Sequence, residues 1–231
     1  MKTSSEIMQE VREILRTKWE RRKGYKVPDA EDVRLGNDAV ELEGAVLYAD
    51  LRGSTTLVRQ YKDFFAADIY KSFLRATCDV IKNNDGVITA FDGDRVMAVF
   101  IGNSKCSDAA KTGLQIHFIV NSINEQIKSA FPSTNYSINY AVGIDVSDLF
   151  VVRTGIRGAN DLAWIGNAAN VAAKLSEMSR MYDRAFVTAR LFNRLNDQSK
   201  YGGQNHECMW RNTGDSIEGE SVFASSWHWK F

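Results

Sequence analysis

The sequence predicts an α+β fold built on a mostly antiparallel sheet. Helical periodicities alternate along the chain with short apolar runs of strand length. Asp92-Gly93-Asp94, set between two such runs, is a hairpin signal. No apolar run approaches the roughly 18–20 residues that a membrane helix needs.

Each element follows from local pattern. Ile7, Val11, Ile14, Leu15 and Trp19 recur at helical spacing and predict an N-terminal amphipathic helix. Arg21, Arg22 and Lys23 then read either as a solvated helix end that complements the helix dipole or as a contact for a partner subunit. Residues 24–37, with Pro28 and Gly36, read as a linker, so 1–37 form a helix and linker ahead of a main domain over 38–231. A buried strand is expected at 45–49, between Gly44 and Asp50. Ser54 is the expected N-cap of a long helical region carrying Leu57, Tyr61, Phe65, Ile69 and Phe73, which Asn83-Asn84-Asp85-Gly86 stops. Strands at 86–91 and 95–101 flank the hairpin signal, and a helix is expected over 104–130, with Pro132 beyond it. Further strands are expected at 137–142, 150–153, 162–165 and 186–188, with a helix over 167–181 between the last two. The tail holding Trp210, Trp227 and Trp229 is expected to supply the last strands, its tryptophans serving packing.

Composition narrows the function. The 231 residues carry 29 Lys+Arg against 29 Asp+Glu, and this balance argues against a general nucleic-acid or polyanion binder. A local phosphate site stays open. Apolar residues make up 44% of the chain, enough for a sizeable core. Cys78, Cys106 and Cys208 show no CxxC spacing, which fits free thiols in a reducing compartment. The first ten residues have no apolar h-region and include Glu6 and Glu10, so a cytoplasmic protein without leader or membrane anchor is expected. His117 reads as a packing residue on an apolar helix, and His206 and His228 give no metal spacing.

Two motifs carry chemistry. In Tyr48-Ala49-Asp50-Leu51-Arg52-Gly53-Ser54-Thr55 an acid ends an apolar strand and a Gly-Ser-Thr turn opens a helix, whose first N–H groups favour an anion. In Phe91-Asp92-Gly93-Asp94-Arg95-Val96-Met97 a second acid sits at a hairpin tip. If the first strand lies beside the hairpin, Asp50 and Asp94 project close together and repel, a conflict that a divalent cation removes. Read separately, Asp50 caps a helix and Asp94 serves a turn.

These blocks, with Asp161-Leu162-Ala163-Trp164-Ile165-Gly166-Asn167-Ala168-Ala169-Asn170-Val171-Ala172-Ala173-Lys174-Leu175, resemble the three signatures of the class III nucleotidyl cyclase catalytic domain in their order along the chain. Gly143-Ile144 begins the strand pair that precedes the third block in that family. The resemblance spans about residues 43–192 and implies a ferredoxin-like, palm-type fold. It implies that Asp50 and Asp94, with the Leu51 carbonyl, hold two divalent ions per site, Mn²⁺ or Mg²⁺. Gly53, Ser54 and Thr55 would bind nucleotide phosphates, Asn170 would orient the ribose, and Lys174 stands where the family has an arginine that stabilises transition-state charge. Lysine keeps that charge and loses the bidentate fork. The family assembles each site from two subunits, so a homodimer is implied, with the acids from one chain and Asn170 and Lys174 from the other.

Two polar positions read purines in that family. Here they are Ala90 and Ala163, which have no groups to leave unpaired against a wrong base. Tyr48 adds a hydroxyl near where a base would sit. Arg95 reads either as a further donor to base or phosphate or as a solvated strand residue. The pattern resembles the bacterial pyrimidine cyclases of the Pycsar antiphage systems, and implies conversion of UTP, ahead of CTP, to a 3′,5′-cyclic monophosphate that acts on a separate effector protein. A purine cyclase of the same class, reading the base with other side chains, is one alternative. A non-catalytic cyclase-like domain is another, because Lys174 replaces arginine and Glu218-Gly219-Glu220 occupies the region of the family's triphosphate lysine.

Overall fold

The computed structural model describes residues 2–231, which divide into two units, one of residues up to 43 with 148–166 and one of 44–147 with 167–231. In chain order the elements begin α1 (Ser4–Arg16), β1 (Glu20–Lys23), β2 (Asp38–Arg52), α2 (Ser54–Gln60) and α3 (Asp63–Asn83). The hairpin β3 (Val87–Asp92) and β4 (Arg95–Phe100) follows, then α4 (Lys105–Ala130) and the long β5 (Asn139–Ile156). Next come β6 (Ala159–Ile165), α5 (Asn167–Ser176), β7 (Ala185–Thr188), α6 (Ala189–Phe192) and α7 (Asp197–Lys200). A small pair, β8 (Tyr201–Gly202) and β9 (Glu207–Cys208), precedes the closing hairpin of β10 (Arg211–Ile217) and β11 (Glu220–Ser225). No helix of the described residues is long and apolar enough to cross a membrane.

In the first unit, Thr3 and Glu6 form a capping box at the start of α1. At its other end the Asn37 amide donates to the carbonyls of Ile14 and Thr17, at 2.9 and 2.7 Å. The expected apolar stripe of Ile7, Val11, Ile14 and Leu15 is present, yet all four are exposed. The reading of Arg21, Arg22 and Lys23 as a solvated helix end is corrected: they form β1, parallel to residues 38–41 of β2. Ion pairs of Arg21 with Glu41 and Arg22 with Asp38 hold this charged strand in place. Residues 24–37 are likewise no linker. They include a 3₁₀ turn at Ala30–Asp32 and bury Val27 and Val33, as the ordered return that parallel pairing demands. Elsewhere in this unit β6 folds back antiparallel on residues 150–156 of β5, and Trp19 packs edge-on against Phe150.

The second unit holds the main sheet, in the order β10-β11-β7-β5-β2-β4-β3; β10 with β11, β11 with β7, β2 with β4 and β3 with β4 pair antiparallel, and β5 with β7 parallel. The expected α+β class with a mostly antiparallel sheet is therefore found. Leu47, Phe73, Phe100, Leu114 and Ile144 are among the fully buried residues of the core that α3 and α4 share with the sheet.

Three expectations for this unit need correction. The helical region after Gly53 is broken at Tyr61 and Lys62, both extended, where Tyr61 stacks on Phe65 and meets Tyr136 edge-on. Aromatic packing sets this break, with no proline or glycine to announce it. The strands expected at 137–142 and 150–153 are one strand, β5, which carries Asp145 through the core. Thr188 and Arg190 donate to its carboxylate, so a buried acid is satisfied within the sheet and the strand runs on. The helix expected to reach 181 stops at Ser176, whose carbonyl accepts from Arg52 at 3.2 Å. Of the tail tryptophans, Trp210 is buried just before β10, and Trp227 and Trp229 follow β11. The Trp229 N–H donates to the Leu114 carbonyl of α4 at 3.1 Å, so this tail serves packing.

Gly143 fixes how closely α5 rests on β5. A Cβ there would lie 2.1 Å from the Ala172 carbonyl oxygen and 2.4 Å from the Ser176 nitrogen. Gly143→Ala is expected to destabilise the fold by about 3 kcal/mol, because backbone cannot give way as a side chain can. Urea unfolding measures this, and an unchanged midpoint would contradict the packing.

Candidate active site

Strand register builds the site. In β2 and β4, Tyr48 stands opposite Met97 and Asp50 opposite Arg95. The same rows continue into β3 with Ala90 and Asp92. Side chains two apart share a face, so Tyr48, Asp50, Ala90, Asp92, Arg95 and Met97 stand on one side of the three strands. Arg95 is the clasp of that face: its guanidinium lies 5.3 Å from the centre of the Tyr48 ring and donates to Asp92 at 2.9 Å. It also approaches Glu177 at 3.6 Å. Its reading as a merely solvated strand residue is set aside by these contacts.

The hairpin turn consists of Gly93 and Asp94, with Gly93 at φ +61, a conformation glycine takes without strain. The Leu51 N–H donates to the Asp94 carbonyl at 3.4 Å and ties the tip to the end of β2. Asp50, Leu51, Gly53, Ser54, Asp94 and Arg95 thus line one cleft of about 530 Å³. Burial pushes the Asp50 carboxyl up to about 6, and the neighbouring charge of Asp94 adds to the rise. Arg95 and Arg52 oppose it only in part. Burial also raises the Tyr48 hydroxyl.

Not every expected residue enters the cleft. Gly53, at φ +74, takes the cap position before α2, so Ser54 is the first helical residue and Thr55 is exposed beside it, off the lining. Tyr48 lies one row away, under Arg95. Asn170 and Lys174 are four residues apart on α5, on one exposed helix face outside the lining. Lys174 is ion-paired with Glu218, at the tip of the turn between β10 and β11, where φ is +49. Ala163 lies on β6 opposite Val152.

Four residues of this neighbourhood were missed as functional candidates. Asp92 and Arg52 lie inside the quoted motifs, where alternation in the strand would have put Asp92 on the face of Arg95. Glu177 and Glu218 are far along the chain, and only tertiary folding brings them near Arg95 and Lys174.

Among the described residues no group of three or more His, Cys, Asp or Glu side chains converges as a ready metal site. Two carboxylates with an adjacent backbone carbonyl are an all-oxygen donor set, suited to hard divalent ions whose remaining ligands come from water or phosphate. The repulsion recorded at Asp50 fits such an ion.

No family profile matches the chain. It is 43% identical over 231 residues to a uridylate cyclase of Burkholderia cepacia, covering 99% of each chain. Against a uridylate cyclase of Xanthomonas perforans it is 41% identical over 222 residues, or 94% of each. The chain belongs to the uridylate cyclase family. It is accordingly a nucleotidyl cyclase, and its fold is that of class III cyclase domains. The adenylyl cyclase CyaB from P. aeruginosa matches 81% of it with a TM-score of 0.69 at 17% identity, the match covering 95% of CyaB. The guanylyl cyclase Cya2 matches 80% of it with a TM-score of 0.66 at 15% identity, over 91% of Cya2.

The position of Asp50 has a measurable consequence for the uridylate cyclase fold without metal. A carboxyl in the unfolded chain ionises near 4, whereas Asp50 holds its proton up to about 6. Folding stability is therefore lost as pH rises through that window and stays lost above it. Asp50→Asn removes the cost and is expected to be more stable than wild type at pH 7 by about 1–2 kcal/mol, allowing for solvent screening of a half-buried group. Below pH 4 the two should be equal. Urea titrations in chelator at both pH values test this, and equal stability at pH 7 would contradict it.

Proposed function

We propose that the chain converts UTP to 3′,5′-cyclic UMP and pyrophosphate, in sites shared between two copies of itself. The observation that carries this reading is the separation of its polar groups. Asp50 and Asp94 line one cleft, while Asn170 and Lys174 stand outside it on an exposed helix face. One chain thus offers two half-sites, and a two-fold dimer would complete two whole ones. Relatives named uridylate cyclase at 41–43% identity support uracil as the base. The catalytic part is taken as residues 38–231.

In such a site the carboxylates of Asp50 and Asp94 and the carbonyl of Leu51 would hold two divalent ions, Mn²⁺ or Mg²⁺. Bound ions of this kind make a ribose 3′-hydroxyl more acidic and offset triphosphate charge. Tyr48 and Arg95 would frame the base, where Ala90 offers no polar group to a purine. Amides of Gly53, Ser54 and Thr55 would donate to phosphate oxygens. From the second copy, Asn170 would orient the ribose and Lys174 would counter charge on the α-phosphoryl oxygens. The 3′-oxygen loses its proton and attacks the α-phosphorus in line, and the bond to the β-phosphate breaks to release pyrophosphate. Lys174 must first leave Glu218, and exposed ion pairs are weak.

On the resemblance to Pycsar cyclases, the cyclic product is a signal read by a separate effector in antiphage defence. Free Cys78, Cys106 and Cys208 support a cytoplasmic setting.

Purified protein with Mn²⁺ is expected to cyclise UTP when the four ribonucleoside triphosphates are incubated separately and resolved by chromatography. Turnover of ATP alone would refute the pyrimidine assignment. Asp50→Ala and Lys174→Ala should each be inactive. After random subunit exchange their equimolar mixture should recover about a quarter of wild-type turnover, since half the dimers then carry one intact site of two. No recovery would refute the shared site.

A further inference from the structure

Beyond the acidic cleft lies a smaller cavity of about 220 Å³ with Arg52, Arg180 and Arg184 in its wall. The two hollows have only Arg52 in common. The positive charges in this wall are unevenly matched. Arg180 is paired with Asp215, and Asp183, the one acid of the lining, is engaged by Arg211. Among the described residues Arg52 and Arg184 form no ion pair. Arg184 donates only to the carbonyls of Asp183 and Arg180, at 3.1 and 3.4 Å, and Arg52 only to that of Ser176. The Arg52 Nε is buried without a hydrogen-bond partner.

A second orphan lies against the same wall. Tyr140, only 2% exposed, has a hydroxyl that is buried and unpartnered, and the Arg184 guanidinium sits 6.0 Å from its ring centre. Tyr140 and Arg184 also line a neighbouring cavity of about 450 Å³. Burial disfavours the charged form of Arg52, as does the nearby charge of Arg184, while Asp50 and Glu177 on the side of the acidic cleft favour it. Two guanidinium groups with spare N–H donors, a donor hydroxyl and no free carboxylate leave one class of ligand that satisfies them all. A tetrahedral anion accepts several hydrogen bonds and brings the missing negative charge.

We propose that this cavity binds a phosphoryl oxyanion through Arg52 and Arg184, with the Tyr140 hydroxyl as a further donor. The site stands on these residues alone and does not require the UTP assignment. Its occupant is a phosphoryl group, whether the tail of a bound triphosphate or free phosphate or pyrophosphate.

Calorimetric titration of the full chain with inorganic pyrophosphate, and separately with phosphate, in metal-free buffer tests the site. Wild type is expected to bind at least one of the two anions. Arg184→Gln and Tyr140→Phe should each weaken that binding about tenfold, the loss expected for a hydrogen bond to a charged group. Arg184→Lys, which keeps charge and loses the fork, should fall between Arg184→Gln and wild type. Lys71→Gln, an exposed change on α3 outside both linings, should bind the anion as wild type does. Circular dichroism establishes that each variant is folded. No binding by wild type, or equal binding by folded Arg184→Gln and Tyr140→Phe, overturns the proposal. Adding a nonhydrolysable UTP analogue separates the sources: displacement of the anion identifies the triphosphate tail, and simultaneous binding identifies the free anion. Either result supports the site, and failure of UTP turnover would leave it standing.

Discussion

Two acids held near one another in a half-buried cleft cannot both ionise without cost, and the groups around them answer that cost. Asp50 is pushed toward its protonated form by burial first and by Asp94 second. Arg95 and Arg52 supply positive charge close by but do not cancel the rise. A fold could relieve this strain with one more basic residue. This one leaves the cleft with more acids than bases, an oxygen-rich lining of a kind that suits hard cations.

Strand register is what keeps the acids together. Asp50, Arg95 and Asp92 fall in one row across three strands, and a slip of one residue would turn every member to the opposite face. The bond from Leu51 to the Asp94 carbonyl pins the hairpin tip to the neighbouring strand. The core beneath serves the same end, since Leu47, Ala98 and Phe100 hold β2 and β4 against the helices. Packing and chemistry therefore meet at the same few residues.

Much of this was legible in the chain. The hairpin around Gly93, the helix ending at Ala130 and the acids that close the cleft all follow from local rules: turn chemistry, periodicity and an acid at a strand end. The failures have a common cause. Charged and polar residues were read as boundaries wherever their partners lay far along the sequence. Arg22 is a strand residue because Asp38 receives it, and Asp145 can cross the core because Thr188 and Arg190 do the same. Tyr61 breaks a helix by packing on Phe65 and Tyr136, and Arg52 ends another at Ser176. Apart from Tyr61 with Phe65, no window of local sequence contains both halves of these interactions.

Glu218 is a resting counterion for Lys174. The pair holds an exposed amine against the turn between β10 and β11. On the proposed reading, a phosphoryl oxygen at Lys174 would exchange one anion for another, so little charge would have to be stripped of water. On that reading the acidic tip of the chain's own loop would be a placeholder for substrate phosphate.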